Sequence, residues 1–172
     1  MEGSVVEWVR ALASTDKSQR AAAAAALARS TQPLSPAIVP LVLAAGQRDD
    51  ETRMWAADAL ETAGPPAVAD VQRLVAVLAT PAEASDGESA YWAAKLLGRL
   101  GPAAAAATAA LAKALEQSPY LAVREQAATA LGRIGPAAAA STPVLQQAAG
   151  ESSPRLVRLA LAALESIRGM AA

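Results

Sequence analysis

The chain has 172 residues, enough for one domain with a continuous core. It is 53% hydrophobic but only 3% aromatic, with no Phe, so its apolar content is mostly alanine, the best helix former. A formal net charge of −1 argues against a general nucleic-acid binder, and the absence of Cys and His removes thiolate and imidazole chemistry, so neither a metal nor a cofactor is expected.

In chain order, residues 3–13 predict a short helix with Val5, Val6, Val9 and Leu12 as its apolar stripe, closing the N-terminal end with Trp8 as core or cap. Thr15-Asp16 starts a first inner helix reaching about Ser30, and Pro33, Ser35 and Pro36 mark a turn. An outer helix over 36–46 carries Ile38, Val39, Leu41, Val42 and Leu43 and ends at Gly46. Asp49 caps a second inner helix to about Ala63, and Gly64-Pro65-Pro66 turns the chain into an outer helix ending near Ala79. Thr80 to Gly87 reads as the longest surface loop. The third pair is an inner helix over 87–100 and an outer helix over 102–116. Ser118-Pro119 suits a cap followed by proline in the first turn of the fourth inner helix. That helix ends at Ile134, Gly135 takes the left-handed conformation that closes it, and an outer helix spans 137–149. Ser152-Ser153-Pro154 starts the last inner helix, to about Arg168.

The inner helices are copies of one unit. Their central leucines are Leu27, Leu60, Leu97, Leu131 and Leu164, spaced by subtraction 33, 37, 34 and 33 residues apart. Self-similarity at this period means a solenoid, whose neighbouring repeats bury each other's apolar faces. The fourth copy, Val123 to Pro136, reads VREQAATALGRIGP. The third keeps Ala93-Ala94 and Leu97 to Pro102, and the second keeps Arg53, Ala56-Ala57, Ala59-Leu60 and Gly64-Pro65. The pattern resembles the HEAT repeats of the phycobilisome-lyase type, V-R-x-x-A-A-x-A-L-G-x-I-G-P. The resemblance implies an all-α α-solenoid, a right-handed superhelix of about five helical-hairpin repeats and roughly ten helices, forming a single domain over residues 1–172. Unequal spacing and divergent end copies suit a natural bacterial protein better than a consensus design.

Asp16, Asp49 and Asp86 align at inner-helix starts, where a carboxylate accepts from unpaired amides and meets the positive end of the dipole. Arg20, Arg53 and Arg124 align four residues later, with Ala90 and Val157 breaking the series. The resemblance implies a ladder of Asp-to-Arg contacts between repeats, a scaffolding role. Arg29, Arg99 and Arg133 align near helix C-termini, where the dipole favours a cation.

Subtracting the buried stripe from each inner helix leaves a second stripe at offsets 0, +3, +4, +7 and +11. It reads Glu51, Met54, Trp55, Asp58, Thr62 in the second copy and Glu88, Tyr91, Trp92, Lys95, Arg99 in the third. In the fourth it is Ala122, Glu125, Gln126, Thr129, Arg133, and in the fifth Arg155, Arg158, Leu159, Ala162, Ser166. The resemblance implies that this stripe lines the concave surface. With neighbouring helices roughly 8–10 Å apart, Met54, Trp55, Tyr91 and Trp92 would form one aromatic patch, the composition of an interface hot spot. Asp58 and Glu88 flank it on one side, with Lys95, Arg99 and Arg133 towards the C-terminal end. Against this stands the reading that the indoles only fill space in a thin alanine stack.

The leading functional reading is therefore a non-catalytic adaptor binding a partner peptide, helix or subunit on its concave face. The alternatives are a subunit that self-assembles through the last helix, where Leu156, Leu159, Leu161 and Ile167 lack a covering outer helix, or a lyase-like protein associated with tetrapyrroles. The acidic N-terminus does not suit a signal peptide, and no apolar run reaches membrane-spanning length without a polar residue or proline, so the expected site of action is the cytoplasm, off the membrane.

Overall fold

The computed structural model describes residues 3–80 and 87–169. Every regular element among the described residues is a helix, and the chain divides into two compact units, Met1–Pro65 and Pro66–Ala172.

The first unit contains α1 (Val5–Ala11), α2 (Lys17–Ala28), α3 (Ile38–Ala45) and α4 (Asp50–Thr62). Ser4 starts α1 with a reciprocal cap that periodicity alone does not reveal. Its Oγ accepts from the Glu7 N–H, and its own N–H donates to Glu7 Oε2 at 2.8 Å, which holds the Glu7 carboxyl below its ordinary range. Asp16 caps α2 as expected, accepting from the Ser18 N–H at 2.8 Å. The inner helices α2 and α4 lie side by side, with Ala23, Ala24, Leu27, Ala56, Ala59 and Leu60 buried. The outer helix α3 buries Ile38, Leu41 and Val42 against α4.

The second unit contains α5 (Val71–Leu78), α6 (Glu88–Arg99), α7 (Thr108–Gln117), α8 (Leu121–Ile134), α9 (Thr142–Ala149) and α10 (Pro154–Gly169). The inner helices α6, α8 and α10 stack in that order, and α5, α7 and α9 form the outer layer. Leu96, Leu97, Leu111, Leu115, Leu131, Ile134, Leu145 and Leu156 fill the space between the layers. The inner layer packs closely because glycine sits at each crossing. A Cβ on Gly98 would stand 3.1 Å from the Ala130 Cα, and one on Gly132 would stand 3.0 Å from the Ala163 Cα.

The outer helices differ from expectation at their starts. Each is led in by a 3-10 segment, at Ser35–Ala37, Val68–Asp70, Gly101–Ala107 and Gly135–Ser141. In the two longer segments Gly101 and Gly135 have positive φ, 56° and 72°, and the following proline cannot donate. Gly135 has ψ of −140°, so it turns the chain outside the left-handed helical region expected of it. Where each segment passes into α-helix, a hydroxyl bonds back to a carbonyl: Thr108 Oγ1 to Ala105 O at 2.8 Å, and Ser141 Oγ to Ala138 O at 2.7 Å. Ser118 likewise lies outside α8. It accepts from the Tyr120 N–H at 3.3 Å in a local turn, and Tyr120 holds the cap position.

Of the expected arginine ladder, Arg20 meets an aspartate of the next repeat and Arg124 a glutamate, while Arg53 lies 3.8 Å from Asp50 on its own helix. Arg20 donates to the carbonyls of Ser14 and Thr15 at 2.9 and 3.0 Å and pairs with Asp49 at 3.5 Å. Asp49 stands at the N-cap of α4 as expected and accepts from Thr52 Oγ1 at 2.8 Å. That bond first, then the nearby Thr52 and Glu51 amides and Arg20, keep its carboxyl below the usual carboxylate range. Arg124 donates Nε to Leu115 O at 2.7 Å and both terminal nitrogens to Glu151, a residue outside the predicted series. Asp86 lies outside the described residues.

Candidate partner-binding face

The site residues anticipated from sequence fall in both units. Met54, Trp55 and Asp58 belong to the first, and Glu88, Tyr91, Trp92, Lys95, Arg99 and Arg133 to the second. Each group is described by itself.

On α4, Met54 is 56% exposed and Asp58 is exposed, one turn apart on the same face. Trp55 is half-buried, and the Arg29 guanidinium lies 4.5 Å from its ring centroid. Arg29 therefore does more than meet the dipole of α2, since it covers an aromatic face. Beside it Trp8, Ala22, Ala25, Ala26, Arg29 and Ser30 line an open hollow of about 400 Å³. Trp8 is half-buried and packs against Gly3, which fits its expected part in the end helix.

On α6, Tyr91 and Trp92 meet edge to face, centroids 5.5 Å apart. Lys95 Nζ lies 4.6 Å from the Trp92 ring centroid and 5.6 Å from that of Tyr91. Trp92 is only 3% exposed, so it anchors the fold and offers little area to a partner. Its Nε1–H is buried with no hydrogen-bond partner among the described residues, a cost that its packing and the Lys95 contact must offset. Tyr91, Lys95, Glu88 and Arg99 remain half-buried, and Arg133 is exposed at the end of α8.

An ion pair joins α8 to α10 on this face. Glu125 is 7% exposed, and its carboxylate is 3.1 Å from Arg155 Nε on the next inner helix. Both residues stand on the stripe read from sequence, but their offsets differ, so alignment did not pair them. Arg133 and Arg158 are exposed and make no ion pair among the described residues.

The apolar strip expected on the last helix is smaller than its sequence suggested. Leu156 is fully buried and Ile167 is 8% exposed, because α9 and the Gly135–Ser141 segment cover them. Leu161, 49% exposed, and the half-buried Leu159 remain. Among the described residues no helix is long and apolar enough to cross a membrane, and no group of three or more His, Cys, Asp and Glu could hold a metal.

A family model for HEAT repeats matches residues 72–165. No curated protein matches the chain. Similar solved structures include crystal structures of three engineered proteins from the Northeast Structural Genomics Consortium. The first has a TM-score of 0.64 at 24% identity, covering 95% of this chain and 78% of its own. The second has a TM-score of 0.63 at 20% identity over 97% and 82%. The third has a TM-score of 0.60 at 25% identity over 96% and 48%. At such identities the likeness is one of fold.

Proposed function

The chain belongs to the HEAT-repeat family, and we propose that it is a cytoplasmic, non-catalytic module that binds a partner protein on the face of its inner helices. HEAT repeats generally serve as protein-interaction scaffolds, and such folds are typically non-enzymatic. The observation that carries the reading is a pair of exposed cations on neighbouring inner helices, Arg133 and Arg158, which make no ion pair among the described residues. Exposed cations attract an oppositely charged chain before contact and favour it over other partners. The partner segment that fits carries acidic side chains for Arg133 and Arg158 and an apolar residue for the flank of Tyr91. On the first unit, Met54 and Asp58 supply a separate apolar and acidic contact. Trp92 acts through its packing, by holding Tyr91 and Lys95 in place.

Site-specific photo-crosslinking in the source cell tests this reading. A crosslinker at Met54, Arg133 or Arg158 should yield a discrete protein adduct, whereas one at Gln146 on the outer layer should yield none. Equal yields from inner and outer positions would sink the proposal.

A further inference from the structure

In two places the start of an inner helix is tied to its surroundings by an arginine. Arg20 bonds the Ser14 and Thr15 carbonyls and reaches Asp49, and Arg124 bonds the Leu115 carbonyl and reaches Glu151. In the third repeat both halves of this device are missing. Ala90 stands at the arginine position, 34 residues before Arg124 by subtraction. Ser118 stands where the next repeat has Glu151, 33 residues on, and Tyr120 where the second repeat has Asp49.

A cavity of about 360 Å³ occupies that place, entirely within the second unit. Leu78, Ala90, Ala110, Ala114 and Val123 give it apolar walls, and among the described residues Lys113 is the one charged side chain lining it. Lys113 is exposed and makes no ion pair among the described residues. The volume falls in the range of small-molecule sites, roughly 300–1,000 Å³. Thr80, Gln117, Ser118 and Tyr120 add polar groups at its rim, so the cavity suits a ligand with an apolar body and a polar end.

We propose that this cavity binds a small amphiphilic anion: a carboxylate on a short aliphatic or aryl body. The body replaces the alkyl stem that arginine supplies elsewhere, and the carboxylate meets Lys113. A cationic ligand is disfavoured, because Ser118 and Tyr120 stand at the positions where the other repeats carry the acid that holds the arginine, and Lys113 would repel it. A neutral ligand would leave Lys113 without a role. The site lies between the ends of the outer helices and the starts of the inner ones, apart from Arg133 and Arg158, so it stands independently of the partner-binding face.

Calorimetric titration of octanoate into the full chain tests the proposal, with octanol as the uncharged control. The expected result is saturable one-to-one binding of octanoate, tighter than that of octanol by about fivefold, the scale of one exposed ion pair. Ala90→Arg and Ala110→Leu fill the cavity from opposite walls, and each should abolish binding while circular dichroism shows full helicity. Should Ala90→Arg fail to fold, Ala110→Leu decides. Lys113→Gln should weaken octanoate to the level of octanol and leave octanol unchanged. No saturable binding, binding that persists in a folded cavity-filling variant, or octanol bound as tightly as octanoate would overturn it.

Discussion

Two junctions of the second unit are built from the same repeat and closed differently. Where α8 meets the segment leading into α10, Arg124 joins the Leu115 carbonyl and the Glu151 carboxylate. Where α6 meets the segment leading into α8, Ala90 leaves a cavity, and Ser118 and Tyr120 stand at the positions aligned with Glu151 and Asp49. The difference is not one of helix spacing, since Gly98 and Gly132 bring their helices equally close. It lies in one polar side chain and its partner. A repeat can thus lose its staple and still stack, because the leucine and alanine core carries the packing. Stability and ligand capacity are then separable properties of neighbouring repeats.

The largest expected effect tests the feature the two junctions share. Gly98→Val and Gly132→Val should each destabilise the protein by about 2–3 kcal/mol, because the new side chain meets backbone that cannot move aside. Urea unfolding midpoints would measure this. Unequal costs would mean that the junctions differ in helix approach and not only in their staples.

Next comes the staple itself. Arg124→Ala should cost about 1–2 kcal/mol, between an exposed pair and a buried one, since Arg124 and Glu151 keep 19% and 32% of their side-chain surface exposed. At the other junction Lys113→Ala should change stability by less than about 0.5 kcal/mol, as expected of a surface residue. The reverse experiment sharpens the contrast. Ala90→Arg combined with Ser118→Glu transplants the staple, and should raise the unfolding midpoint by an amount equivalent to about 1 kcal/mol. A loss of stability there would mean that the cavity has a shape the arginine cannot enter.

Much of this architecture was legible in the sequence. The period of the central leucines, the Ala-Ala pairs and the Gly-Pro turns fixed five inner helices to within a few residues, because buried faces repeat and punctuation residues are few. The Arg20 and Arg124 contacts were legible as a ladder because both residues recur at one offset. Glu151 was not, because it stands two residues before the aligned cap position and reaches by its longer side chain. The 3-10 lead-ins were missed because Pro and Gly mark a boundary without fixing which helical ladder follows it. Trp92 matched Trp55 in alignment, yet it is buried while Trp55 is partly exposed, since burial depends on neighbours that the offset does not report. The cavity had a sequence signal, Ala90 in a column of arginine, but only packing shows that nothing else fills the gap.

The smallest effect is electrostatic and isolates the ion pair from the rest of Arg124. Hydrogen bonds from Arg124 hold the Glu151 carboxyl below its ordinary range in the folded chain. Because the folded value is depressed, the pair's contribution is fully present above the unfolded carboxylate range and declines as pH falls through the folded value. The stability difference between the parent and Arg124→Ala should therefore narrow on acidification below the ordinary glutamate range and stay constant from there to neutrality. Asp49 is held low in the same direction, chiefly by Thr52, but it is present in both proteins, so its loss cancels in the comparison. What remains of the difference once Glu151 is protonated measures the bond from Arg124 Nε to the Leu115 carbonyl and the packing of the side chain. If nothing remains, the junction was closed by charge alone. A residue of most of the difference would make the arginine a space-filler, and would bring its role closer to that of the ligand proposed for the junction that lacks it.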